Sequence, residues 1–133
     1  MFIKKIGVDL GTSNIVIAED RKGIVVDEPS VVALTKNDET VVAIGRNAQS
    51  MLGRQPESIQ VIRPLREGVI TDYRIAEAML TFFIGQVLGP LKIIKPKLMI
   101  GVPLGISNVE QRAIRDAAIA AGSRRPPYLI SEP

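Results

Sequence analysis

Neither cysteine nor histidine occurs among the 133 residues. The first absence excludes disulfides and thiolate metal sites. The second removes the imidazole base and the imidazole metal ligand, so chemistry here has to come from carboxylates, hydroxyls and backbone groups. No apolar run approaches the ~20 residues needed to cross a bilayer, and the opening Met1-Phe2-Ile3-Lys4-Lys5 is too short for a signal peptide. A cytoplasmic location is therefore the default expectation. A large charge imbalance is also missing: 17 basic residues face 14 acidic ones, for a net charge of +3, and the basic residues are spread along the chain. That pattern gives no reason to expect a nucleic-acid partner. Internal repeats and low-complexity segments are absent too.

What is present is a chain with 46% hydrophobic residues, enough to bury a core as one domain. Residues 6–10 and 14–18 read as two short β-branched strands at hairpin spacing, and a turn at 20–23 leads to a third strand at 24–27, making a meander. Residues 30–34 and 41–44 read as a small hairpin, and 46–52 have weak helical character ending at Gly53. A further strand is expected at 59–62. Ile75, Met79, Phe82, Phe83 and Val87 recur at helical spacing, predicting a helix over 73–88 capped by Asp72. The apolar run 98–102 predicts a strand buried on both faces. Ser107 and Glu110 form a capping-box pattern for a helix that stops at Gly122, with Val109, Ala113, Ala117 and Ala121 on one face. Tyr128 to Ile130 reads as a last strand. Helices alternating with strands in the second half imply parallel pairing onto the first-half sheet, an α/β layer.

The segment Asp9-Leu10-Gly11-Thr12-Ser13-Asn14 is the strongest chemical feature. Its turn offers backbone N–H groups and two hydroxyls without bulk, the equipment that holds phosphate oxygens, and Asp9 is placed to hold a hydrated divalent cation. Polar hairpin turns favour the same residues, so both readings stand at this level. The segment is neither a Walker A loop nor a dinucleotide fingerprint.

Gly7-Val8-Asp9-Leu10-Gly11-Thr12-Ser13-Asn14 resembles the first phosphate motif of the superfamily of actins, sugar kinases and DnaK-type chaperones. Three further stretches narrow the resemblance to MreB-type bacterial actins. They are the stretch from Gly23 through Asp27-Glu28-Pro29-Ser30 to Ala33, the stretch Ile62-Arg63-Pro64-Leu65-Arg66-Glu67-Gly68-Val69-Ile70-Thr71-Asp72-Tyr73, and Ile100-Gly101-Val102-Pro103 through Ser107, Glu110, Arg115-Asp116-Ala117 and Ala121-Gly122. The chain departs from the family pattern at Ser13-Asn14-Ile15, which loses one hydroxyl, and at Ser131-Glu132-Pro133, where the family has two glutamates before proline.

The resemblance implies an actin-like, ribonuclease H-like first lobe: a three-stranded meander plus two βα-type crossovers. Residues 1–30 and 65–133 would form the main α/β subdomain and 31–64 a small inserted β subdomain. The second lobe and second phosphate motif are absent from these residues, so very weak nucleotide affinity is expected of this chain alone. By the same resemblance the cofactors are ATP and Mg2+. Gly11, Thr12, Ser13 and Asn14 would contact the phosphates, Asp9 the metal through water, and Glu132 would position the attacking water for slow ATP hydrolysis. The expected partners are further copies in a filament, the cell-wall synthesis machinery, and the cytoplasmic face of the membrane through Leu91, Ile93 and Ile94. Two rival readings are a non-catalytic single-lobe interaction module and a chaperone-type or sugar-kinase-type relative.

Overall fold

A computed structural model describes residues 3–67, 69–89 and 95–132; of Pro103 and Glu132 only the backbone is described. Leu91, Ile93 and Ile94, expected to touch the membrane, lie outside the described residues. The main sheet begins as the meander read from the sequence: β1 (Lys5–Leu10), β2 (Asn14–Glu19) and β3 (Gly23–Pro29), paired antiparallel in that order. Beyond β3 come β4 (Val32–Thr35), β5 (Val41–Ile44), α1 (Arg46–Gln49), β6 (Ile59–Ile62) and the two-residue strands β7 (Leu65–Arg66) and β8 (Val69–Ile70). The chain then forms α2 (Tyr73–Leu88), β9 (Lys97–Pro103), α3 (Asn108–Ala120) and β10 (Tyr128–Glu132).

The main sheet has the order β10-β9-β1-β2-β3, with β9 parallel to β1 and β10 parallel to β9. Parallel pairing requires a crossover, and α2 and α3 supply the two that the alternating pattern predicted. Alternation sets the faces. Ile6, Val8 and Leu10 of β1, Ile15 and Ile17 of β2, and Leu98, Ile100 and Val102 of β9 all point into one core with both helices. From α2 this core takes Ile75, Ala76, Met79, Leu80, Phe83 and Ile84; from α3 it takes Ile114, Ala117 and Ala118. Each fully buried aliphatic or aromatic side chain of this kind contributes about 1.5–3 kcal/mol relative to exposure.

Three expectations are corrected here. The run in β9 is buried on one face only, because Lys97 and Met99 point outward, on a face with no helix among the described residues. The doubly buried strand is β4: Val32 and Leu34 join the main core, while Val31, just before the strand, and Ala33 pack with Ala48 of α1 in a second, smaller core. Helical phase also shifts. Phe82 is 43% exposed and Val109 74% exposed, so neither belongs to the buried stripe of its helix. β4 is the centre of a separate three-stranded sheet ordered β5-β4-β6, and β7 and β8 form a two-stranded ribbon.

Candidate functional site at the carboxyl end of the main sheet

Residues 11–14 join β1 to β2 as a tight turn. The Gly11 N–H donates to the Asn14 carbonyl at 3.1 Å, closing the hairpin. Gly11 is required here for space: a Cβ at this position would lie 2.6 Å from the Asn14 carbonyl oxygen, so any other residue would force the backbone apart. The far side of the turn is held by the segment that follows β3. Ser30 is fully buried; its N–H donates to the Ser13 carbonyl at 2.9 Å and its Oγ–H to the Gly11 carbonyl at 2.8 Å. The Asn14 side-chain amide donates to Asp27 Oδ1 at 2.9 Å. Gly11, Ser13 and Asn14 are thus all tied to residues 27–30, while Ser13 and Asn14 remain exposed and Thr12 part-buried.

Asp9 sits on the outer face of β1, two residues before the turn, and is exposed. Its neighbours in register are Val16 on β2 and Gly101 on β9. Glycine at 101 leaves no side chain beside the carboxylate from that strand, and the space is part of a hollow of about 310 Å³ lined by Gly7, Val16, Met99, Gly101 and Ile130 as well as Asp9. Among the described residues no group of three or more Cys, His, Asp or Glu side chains could hold a metal. A single exposed carboxylate beside a phosphate-type turn fits a cation that keeps most of its water shell, the habit of Mg2+, and does not fit a metal that demands a protein cage.

Glu132 is the last residue of β10, with its backbone in register with Pro103. Asp9, Gly101 and Ile130 form one row across β1, β9 and β10, and Glu132 lies one pleat repeat beyond that row, at the same end of the sheet as the turn. Two strand spacings, roughly 10 Å, separate β10 from β1. The sheet therefore brings the expected phosphate turn, metal-side carboxylate and water-side residue to one edge, although they come from opposite ends of the chain. Ser30 and Asp27 were missed as site residues. The signal for Ser30 is a serine directly after the strand-ending Pro29, in a stretch that otherwise reads as extended.

The MreB/Mbl protein family profile matches residues 3–133. The chain belongs to the MreB/Mbl family. It is 47% identical over all 133 residues to the cell shape-determining protein Mbl of Bacillus subtilis (strain 168), and 43% identical over 138 aligned positions to the cell shape-determining protein MreB of Escherichia coli (strain K12). In both cases the whole chain is covered and 40% of the relative. This family member thus spans about two fifths of the length of the curated relatives it matches. Among solved structures it resembles the MreB5 of Spiroplasma citri crystallised with ADP, at a TM-score of 0.82 and 27% identity, covering 98% of this chain and 38% of that one. The MamK double helical filament shares the fold at a TM-score of 0.78 and 22% identity, covering 98% of this chain and 41% of that one. The actin-like α/β fold expected from the sequence is thus the fold observed, and among the superfamily's branches the family match selects the MreB-type one.

Proposed function

We propose that this chain provides one side of an ATP site in a bacterial actin-like cytoskeletal protein that acts in determining cell shape. The observation that carries the reading is the 11–14 turn. It stands at the carboxyl end of β1, the edge where open α/β sheets place their ligands, and it is held tightly enough to present backbone N–H groups in fixed directions. MreB5 of Spiroplasma citri, whose fold matches nearly the whole chain, has been crystallised with ADP and with AMPPNP, which supports a nucleotide as the ligand.

In this reading the backbone amides of Thr12, Ser13 and Asn14 and the hydroxyls of Thr12 and Ser13 receive the phosphate oxygens, and the small Gly11 permits their close approach. Asp9 would hold a hydrated Mg2+ by accepting hydrogen bonds from its waters. When bound, that ion offsets negative charge on the phosphates. Glu132 accepts a hydrogen bond from the attacking water and holds it in line with the terminal phosphoryl group; a carboxylate suits this task because phosphoryl transfer depends on positioning and electrostatics. The second side of the clamp lies outside these residues. Self-association into filaments, attachment to the inner face of the membrane through Leu91, Ile93 and Ile94, a cytoplasmic location and guidance of cell-wall synthesis belong to the same proposal. MamK's double helical filament supports the first of these.

The test is a chimera in which the chain continues, after residue 133, into the remaining part of Bacillus subtilis Mbl. Glu132→Gln in that chimera is expected to leave the ATP dissociation constant unchanged and to lower phosphate release roughly a hundredfold. Unchanged release in a chimera that binds ATP would remove Glu132 from the reaction.

A further inference from the structure

Ser30 belongs to no strand or helix, is fully buried, and uses both of its donors on the phosphate turn. We propose that Ser30 is a positioning residue for anion binding: by holding the Gly11 and Ser13 carbonyls it aims the N–H groups that follow them at the phosphates. The inference rests on the phosphate-binding reading above and assigns the group that gives the turn its directionality.

The geometry follows from the peptide unit. In a trans peptide the C=O of one residue and the N–H of the next point in opposite directions. The Gly11 carbonyl points at Ser30 Oγ, so the Thr12 N–H is directed away from Ser30. The Ser13 carbonyl points at the Ser30 N–H, so the Asn14 N–H is directed away as well. One residue thus sets two N–H groups toward the same side of the turn, the arrangement that makes an anion-binding concavity from backbone alone. Pro29 contributes by default: it has no N–H, so the first donor available after β3 is that of Ser30, beyond the Asn14–Pro29 pair that ends the β2–β3 ladder.

A hydroxyl buried this completely is unfavourable without a partner, and space alone would be filled as well by alanine. Among the described residues the hydroxyl's partner is the Gly11 carbonyl. The seat of Ser30 is itself rigid. The Val31 N–H folds back to the Pro29 carbonyl at 2.9 Å, the Gly45 N–H donates to the Val31 carbonyl at 2.8 Å, and Arg46 is held to Glu28 by its N–H at 2.8 Å. The phosphate turn is therefore braced against the base of the β5-β4-β6 sheet rather than left as a free hairpin tip.

The experiment compares the 15N-labelled chain with Ser30→Ala and with Ser107→Ala, a control that removes a helix cap far from the turn in sequence and lowers global stability by a similar amount. Amide relaxation is recorded first without ligand, then amide shifts are followed while Mg2+ and tripolyphosphate are titrated in. Ser30→Ala should add fast motion at residues 12–14 while β1 and β2 stay as ordered as before. Its titration midpoint at those amides should rise roughly fivefold or more, the effect of losing one hydrogen bond, and Ser107→Ala should match the unsubstituted chain. A Ser30→Ala midpoint equal to that of the unsubstituted chain, or an equal loss in Ser107→Ala, would overturn the proposal. If amides 12–14 of the unsubstituted chain ignore tripolyphosphate, the phosphate reading itself fails and takes the role of Ser30 with it; the ligand-free relaxation tells that case apart from a clamp that is present but idle.

Discussion

Gly45 is where a single residue carries most structural consequence. It joins β5 to α1 with φ of 72°, a left-handed conformation that costs other residues about 1 kcal/mol or more. A Cβ there would also lie 2.5 Å from Glu28 Oε1 and 2.9 Å from Phe83 Cζ. Glu28 cannot retreat freely, since it accepts the Arg46 N–H, and Phe83 is only 1% exposed. Gly45→Ala is therefore expected to destabilise the chain by about 2–4 kcal/mol, combining backbone strain with overpacking. Gly53→Ala is the matched comparison: its φ is 78°, yet nothing lies within 4 Å of the added atom, so about 1 kcal/mol is expected. Urea unfolding midpoints of the two variants measure the difference. At this scale the sequence is only half legible. Gly11 and Gly53 both read as turn residues, but which glycine is crowded depends on Phe83, Glu28 and the Asn14 carbonyl, neighbours that only the fold supplies.

Elements were more legible than their faces. The capping box of α3 is present on both sides: the Glu110 N–H donates to Ser107 Oγ at 3.1 Å, and the Ser107 N–H donates to the Glu110 carboxylate at 3.3 Å. Ser107→Ala should cost about 1 kcal/mol, seen as a shift in the thermal midpoint without loss of helix α2. Both long helices were readable because caps and spacing are local signals, and α2 spans the residues its periodicity predicted. Faces were less readable because an apolar stripe broad enough to admit Phe82 gives no phase to within one residue. Val109 fails for another reason: it lies in the first turn of α3, ahead of the buried Ile114, Ala117 and Ala118, and is 74% exposed. β9 was misjudged because an uninterrupted apolar run says only that burial is compatible with both faces; the outward Met99 is 43% exposed. The two-residue strands β7 and β8 gave no periodic signal at all.

For the whole molecule, the main sheet has one face under α2 and α3 and another without a helix among the described residues. On that open face Val16 is part-buried and Met99, Tyr128 and Ile130 are exposed, the last two at 46% each. An apolar sheet face in water favours association. Concentrated solutions of the 133-residue chain are therefore expected to self-associate, and Met99→Lys combined with Ile130→Lys to shift the sedimentation profile toward monomer. A double variant that associates as strongly as the unsubstituted chain would place the contact elsewhere. The overall α/β order and the family were readable from the chain because strand alternation and the motifs of residues 7–14, 23–33, 62–73 and 100–122 are local. The gathering of Asp9, the 11–14 turn and Glu132 at one sheet edge was legible only through the family resemblance and not from local pattern, since it depends on β9 and β10 crossing back beside β1.

The central claim is that the nucleotide phosphates sit on the 11–14 turn at that edge. Hydrogen exchange of the Mbl chimera, with and without Mg-ATP, tests it most directly. Protection by the nucleotide should be greatest in peptides covering residues 9–14, with a second focus in the peptide that contains Glu132. Nucleotide-dependent protection that leaves residues 9–14 unchanged and falls elsewhere in the chain would contradict the account.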